Sequence, residues 1–197
     1  MAAACPNSVS SPGTEPITRQ AWESQNSWLA LVVRSRHEKS VQGILEAKGY
    51  RTSLPLVRYT RTRRTGSSWD SQRPLIAGYV FAVRDYENPF RIVTTPGVVQ
   101  IVSFGGGPGT IADSEIEALE RIAASGLPAA GCAFTRIGET VKLIDGPLKG
   151  IQGIVLRQAK ITRLVVGVEL LQRSVSVEID GAWAVAVQKR SAGNTFD

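Results

Sequence analysis

The chain of 197 residues has one histidine, two cysteines and one methionine, and aromatics make up only 7% of it. Each scarcity excludes a chemistry. One histidine and two cysteines cannot close a zinc site without carboxylates. The carboxylates are scattered, and none pairs with another at a spacing suited to acid–base work or metal binding. His37 stands beside Glu38 and Lys39 in the first turn of an expected helix. No nucleophile is placed near it, so it reads as solvated surface. Cys5 and Cys132 lie in stretches of small residues and read as free thiols of a reducing compartment. No Walker-type phosphate loop occurs, and FGGGPGT at 104–110 is read as a turn rather than a dinucleotide cradle. The sequence therefore offers no catalytic residue, no metal ligand and no cofactor. Long apolar runs are missing too. None approaches the ~20 residues of a membrane helix, and the first 27 residues lack the basic start and apolar core of a secretory signal. No membrane partner is expected, and the expected location is cytoplasmic.

What the chain does contain is a change of period. Residues 1–26 are rich in Ser, Pro, Ala and Thr and are expected as a disordered tail. The apolar run at 28–34 reads as a buried strand. Ser35 and Glu38 form an expected capping box for a helix with Val41, Ile44 and Leu45 on one face, stopped by Gly49. A strand at 54–58, a long, polar, Arg-rich hairpin loop at 59–73 and a central strand at 74–83 follow. Asn88-Pro89 starts a short helix, 98–102 is a further strand, and Ser114 with Glu117 marks a second capping box. Residues 27–125 thus predict an α/β sandwich with helices against one mixed sheet. Residues 126–137 read as a linker. Over 138–190 the pattern turns to period two in five short runs without a helix signal, which predicts a small all-β barrel of the SH3-like kind. Residues 191–197 are a tail.

Charge is the second positive signal. The net charge is +6, with 13 basic against 9 acidic residues over 25–125 and 9 against 6 over 126–197. That suits work near a polyanion. The sharpest cluster is the loop bearing Arg58, Arg61, Arg63, Arg64 and Arg73 against Asp70 alone, with Trp69 available for stacking. A solvated loop that keeps a sheet edge soluble is the competing reading. In GYVFAV, alternation places Tyr79 and Phe81 on one face. If helices cover only the other face, these aromatics form a docking patch; plain core remains the alternative.

Several short blocks then occur in a telling order: WLAL at 28–31, Glu38-Lys39, PLIAGYVF at 74–81, TPGVV at 95–99 and GETVKLIDGPLKGIQGIV at 138–155. Together they resemble the NusG family, over nearly the whole of residues 27–187, with the last block similar to a KOW motif. The resemblance implies a monomeric transcription elongation or antitermination factor. Its N-terminal domain would bind the β′ clamp helices and approach the β gate loop of RNA polymerase, through a patch of Val32, Ile76, Tyr79 and Phe81. Non-template DNA would meet Arg34, Arg36, Lys39, Arg61, Arg63 and Arg64. The KOW barrel would recruit Rho or a NusE-type ribosomal protein through Leu148, Leu170, Leu171 and Arg173. The tail, PLIAGYVF and LLQR favour a specialised, operon-specific paralogue. A housekeeping elongation factor and a KOW-type RNA-binding protein of the ribosome stay open beside it.

Overall fold

The run WLALVV forms strand β1 (Trp28–Val33), and alternate residues feed two different cores. The structure, a computed structural model, describes residues 27–62, 66, 68–83, 89–135, 138–158 and 161–187. β1 lies between β5 (Tyr79–Val83) and β6 (Val98–Ile101), and β2 (Thr52–Ser53) flanks β5. β9 (Thr110–Ile111) pairs with the start of β1. Leu29, Leu31 and Val33 of β1, with Val80 and Ala82 of β5, meet Val41 and Leu45 of helix α1 (Glu38–Ala47) and Ile92 of helix α2 (Pro89–Val93). The opposite face, with Trp28, Ala30 and Phe81, meets Ile116, Leu119 and Ile122 of helix α3 (Asp113–Ala124). Neighbouring strands all pair antiparallel, which corrects the expected mixed sheet. β1 and β2 do run parallel to each other, but β5 separates them.

Local sequence explains most element ends, with exceptions at the helix starts. Neither expected capping box forms. The N-cap of α1 is His37, without a side-chain cap, because Glu38 is buried and accepts instead from the Gly78 amide at 3.0 Å. α3 starts one residue before Ser114. Asp113 in its first turn accepts from the Trp28 indole at 2.7 Å, tying the helix to β1. Gly97, at φ +95, passes so close to α1 that a Cβ there would meet the Val41 methyl at 2.7 Å. The glycine-rich stretch is a turn, as expected. Gly105 and Gly106, both at positive φ, join β7 (Ser103–Phe104) to β8 (Gly107–Pro108). The Asn88-Pro89 helix start lies partly outside the described residues.

The expected polar hairpin loop is a hairpin whose strands extend well into it, forming a two-stranded ribbon. β3 (Leu56–Thr62) and β4 (Ser68–Pro74) pair through seven registers, from Leu56↔Pro74 to Thr62↔Ser68. Local propensity hides this, since polar strands show no hydrophobic alternation.

The C-terminal half holds β10 (Ala129–Ala133), β11 (Glu139–Leu143), β12 (Gln152–Gln158), β13 (Ile161–Val168), β14 (Arg173–Ile179) and β15 (Ala184–Ala186), in the order β10-β14-β13-β12-β11-β15. The five expected runs all become strands. β10 is an addition: residues expected as linker pair with β14 over five positions. Among the described residues the path ends at β10 and β15 without closing. Val141, Leu143, Leu164, Val168, Val175 and Val177 are buried, and they join the same apolar cluster as α3 and Phe81. The two halves therefore share one continuous core.

Candidate functional site

The apolar patch is assembled as alternation requires, but much of it is sealed. Val32 of β1 lies opposite Tyr79 of β5, and the next pair on that face is Ala30↔Phe81. Val32 and Tyr79 are partly exposed, whereas Phe81 is 1% and Ile76 7% exposed. The expectation of an open face thus fails for Phe81 and Ile76, because helices pack on both sides of the sheet. α3 shares Phe81's cluster. Ile76 borders a cleft of about 530 Å³ whose other wall is Ala130 to Ala133 of β10 with Arg173 and Ser174 of β14.

The described part of the expected nucleic-acid residues lies in two places, around the start of α1 and on the ribbon. Arg34, Arg36 and Lys39 are exposed around the turn before α1, where Arg36 holds a positive φ of 65°. Lys39 donates to Gln72 Oε1 at 3.2 Å, which joins this group to one face of the ribbon, where Arg58 pairs with Gln72. The Arg61 backbone pairs in register with Trp69 further along the ribbon. Arg63 and Arg64 lie outside the described residues. Arg73 shares a face of the ribbon with Tyr59 and places its guanidinium 5.4 Å from the Tyr59 ring centre.

The expected KOW partner residues are largely occupied. Leu148 is fully buried and Leu171 8% exposed. Leu170 packs its methyls against Gly109, on the loop between β8 and β9. Arg173 stays exposed. Leu170 and Leu171 lie in a short 3-10 turn (Glu169–Leu171), Arg173 begins β14, and between them Gln172 caps the turn in a left-handed conformation at φ 49°. A non-glycine residue there is strained by roughly 1 kcal/mol, partly offset by its side-chain bond to Glu169 O at 2.8 Å. Replacing Gln172 by Gly is expected to raise stability by about 0.5 kcal/mol, read as a higher urea midpoint with unchanged slope. A lower midpoint would show that the side-chain bond outweighs the strain.

What the sequence does not reveal is the seam between the halves. Arg121 of α3 donates to the carbonyl oxygens of Lys149 at 2.6 Å and Pro147 at 3.5 Å. On the same helix Glu115 lines a crevice with Gln152, Val166 and Gly167. Desolvation there, and then the Glu169 carboxylate, raise its pKa above the ordinary carboxyl range. A raised folded-state pKa means that the folded state binds the proton more tightly. This contribution is present below the ordinary carboxylate range and is lost as pH rises through the folded value. Glu115→Gln should therefore raise Tm by about 1–2 °C at pH 7.5, from a few tenths of a kcal/mol, and change little near pH 4. Equal gains at both pH values would exclude ionisation as the cause. The pattern of carboxylates on α3 carries no sign of this in the sequence, since the partner lies 54 residues away.

A family model described as transcription termination factor NusG matches residues 26–120. The transcription termination/antitermination protein NusG of Pseudomonas aeruginosa is 33% identical over 125 residues, 59% of this chain and 69% of that protein. Among solved structures, one titled for domain interaction in Thermotoga maritima NusG aligns with 82% of this chain and 97% of its own, at 21% identity and a TM-score of 0.49.

Proposed function

The chain belongs to the NusG family of transcription termination/antitermination factors, and from this premise we propose that it binds RNA polymerase through the β1/β5 face and suppresses pausing or termination. The observation that carries the reading is the placement of Val32 beside Tyr79, with Phe81 and Ile76 behind them, within the family-matched stretch. The site would hold the β′ clamp helices and approach the β gate loop. Binding one conformer of the clamp more tightly shifts the polymerase toward it, so no chemistry is needed.

Phe81 stays under α3 as support for the face, whereas Ile76 reaches a partner only if its cover moves. The C-terminal sheet, which borders Ile76 through β10 and β14, is the part to swing away, and LLQR would be freed from Gly109 in the same motion. If only a fraction of molecules is open, apparent affinity falls by that fraction. The freed C-terminal half would act as a KOW barrel that recruits Rho or a NusE-type ribosomal protein. Arg34, Arg36, Lys39 and the ribbon arginines would meet non-template DNA. Ile76-Ala77 within PLIAGYVF, and LLQR, favour a specialised paralogue acting on a few operons in the cytoplasm. Retention of the full chain on immobilised core RNA polymerase tests the reading, and loss of retention in a Val32/Tyr79 double variant is its expected signature.

A further inference from the structure

The C-terminal sheet ends at β15 with no strand on its outer side among the described residues. The register with β11 decides which backbone groups of β15 are left over. Ile144 donates to the Trp183 carbonyl and Val187 to the Thr140 carbonyl, both at 2.9 Å, and Lys142 stands opposite Val185. Bonded and non-bonded pairs alternate in an antiparallel ladder. Trp183, Val185 and Val187 therefore direct their backbone groups at β11, and Ala184 and Ala186 turn theirs outward. The side chains beside this edge are apolar and open. Ile144 is 52%, Val185 46% and Val187 38% exposed. All three lie on the sheet face opposite to that of Val141 and Leu143, which are buried. Sheet edges of soluble proteins are commonly blocked by a lysine, a proline or another charge. Residues 181–187, GAWAVAV, contain none of these. Of the flanking charges, Lys142 stands one strand inward and Asp180 accepts from the Ala182 amide at 2.9 Å. The Trp183 ring lies over the turn at Gly146, where an added Cβ would meet it at 2.7 Å, and so fixes the start of the strand.

We propose that β15 is a self-association edge, whose occupant is β15 of a second copy of this chain. Antiparallel pairing about a two-fold axis at Val185 is self-complementary. It sets Ala184 opposite Ala186 of the second copy, and Ala186 opposite its Ala184, so all the outward groups are bonded reciprocally. Val185 then meets its own counterpart as a non-bonded pair, in which side chains approach most closely. The apolar stripes of the two copies merge on one face. Charge decides for a copy rather than a foreign strand. A partner chosen by charge needs a charged handle along the edge, and β15 carries none. In the pair of copies the two Lys142 side chains are three strand spacings apart, roughly 14 Å, which is beyond the screening length at physiological salt. Each copy carries a net charge of +6, so added salt strengthens this contact, the reverse of an interface held by ion pairs. The contact is small, which makes it weak, with a dissociation constant of roughly 100 μM. β15 ends the sheet at the opposite edge from β10, which borders Ile76. The association thus leaves the β1/β5 face free and does not depend on polymerase binding.

Sedimentation velocity of the full chain tests this over about 5–500 μM, a span that brackets the expected constant. The wild type is expected to pass from one chain to a discrete pair as concentration rises, and more readily at high salt. Val185→Lys and Val185→Glu, at an exposed position, should each weaken the association about fivefold or more, because each sets like charges opposite one another across the axis. An equal mixture of these two variants should associate again, since the charges then pair. Ala186→Pro removes one outward donor from each copy and keeps the bonds of Val185 and Val187 to β11. It should weaken the association about tenfold, with melting curves confirming the fold. A wild type that stays a single chain at every concentration would overturn the proposal, as would a mixture no better than its components. Uptake of a fluorescein-labelled peptide of alternating Thr and Val by a chain that stays single would assign the edge to a foreign strand and overturn it as well.

Discussion

Immobilised core RNA polymerase is expected to hold the wild-type chain and to bind the Val32→Ala/Tyr79→Ala variant about thirtyfold more weakly. The figure corresponds to roughly 2 kcal/mol, typical of an aromatic at the centre of an interface. Both positions are partly exposed and sit directly opposite each other on β1 and β5. Truncating them removes surface available to a partner and, at Tyr79, some packing against the apolar cluster of α3, so a melting curve is recorded beside the binding. Phe81→Ala is a poorer probe. Its side chain is 1% exposed, so the variant would lose stability, about 3–5 kcal/mol, along with any binding. Unchanged retention of the double variant, with an unchanged melting curve, would remove the β1/β5 face from the polymerase interface.

The largest effect on stability is expected at Trp28. The ring is 1% exposed, sits under the Arg51 guanidinium at 5.0 Å, and donates to Asp113 on α3. It thereby links the first strand to a helix 85 residues further on. Trp28→Ala should cost about 3–5 kcal/mol, lowering Tm by about 10 °C. Trp28→Phe keeps most of the apolar area but loses the indole bond and should cost about 1–2 kcal/mol. Similar destabilisation in the two variants would mean that the bond to Asp113, rather than packing, carries the effect.

The strands are largely legible in the sequence because burial imposes a period. Alternation places Tyr79 and Phe81 on one face, and the five C-terminal runs stand out as strands. What stays hidden depends on distant partners. The ribbon reads as a hairpin loop rather than as two long paired strands because Arg58, Thr60, Arg61 and Gln72 are all polar, so no apolar period marks them. Residues 129–133 read as linker because AAGCA has weak strand propensity, and pairing with β14 decides their state. The capping boxes fail because Glu38 is claimed by Gly78 and because α3 begins at Asp113. Burial of Phe81 and Ile76 is not written in the strand itself, since whatever covers a face belongs to other parts of the chain.

The recruitment of β10 into the second sheet shortens the leash between the halves. If β10 travels with β14, only residues 125–128 lie between α3 and the sheet. Fully stretched, those four residues span about 14 Å. Were the shared core to open as proposed, the C-terminal half could pivot on this tether but not wander. If the two halves each hold a partner as proposed, those partners stay within a few nanometres of one another, at a local concentration set by geometry rather than by abundance.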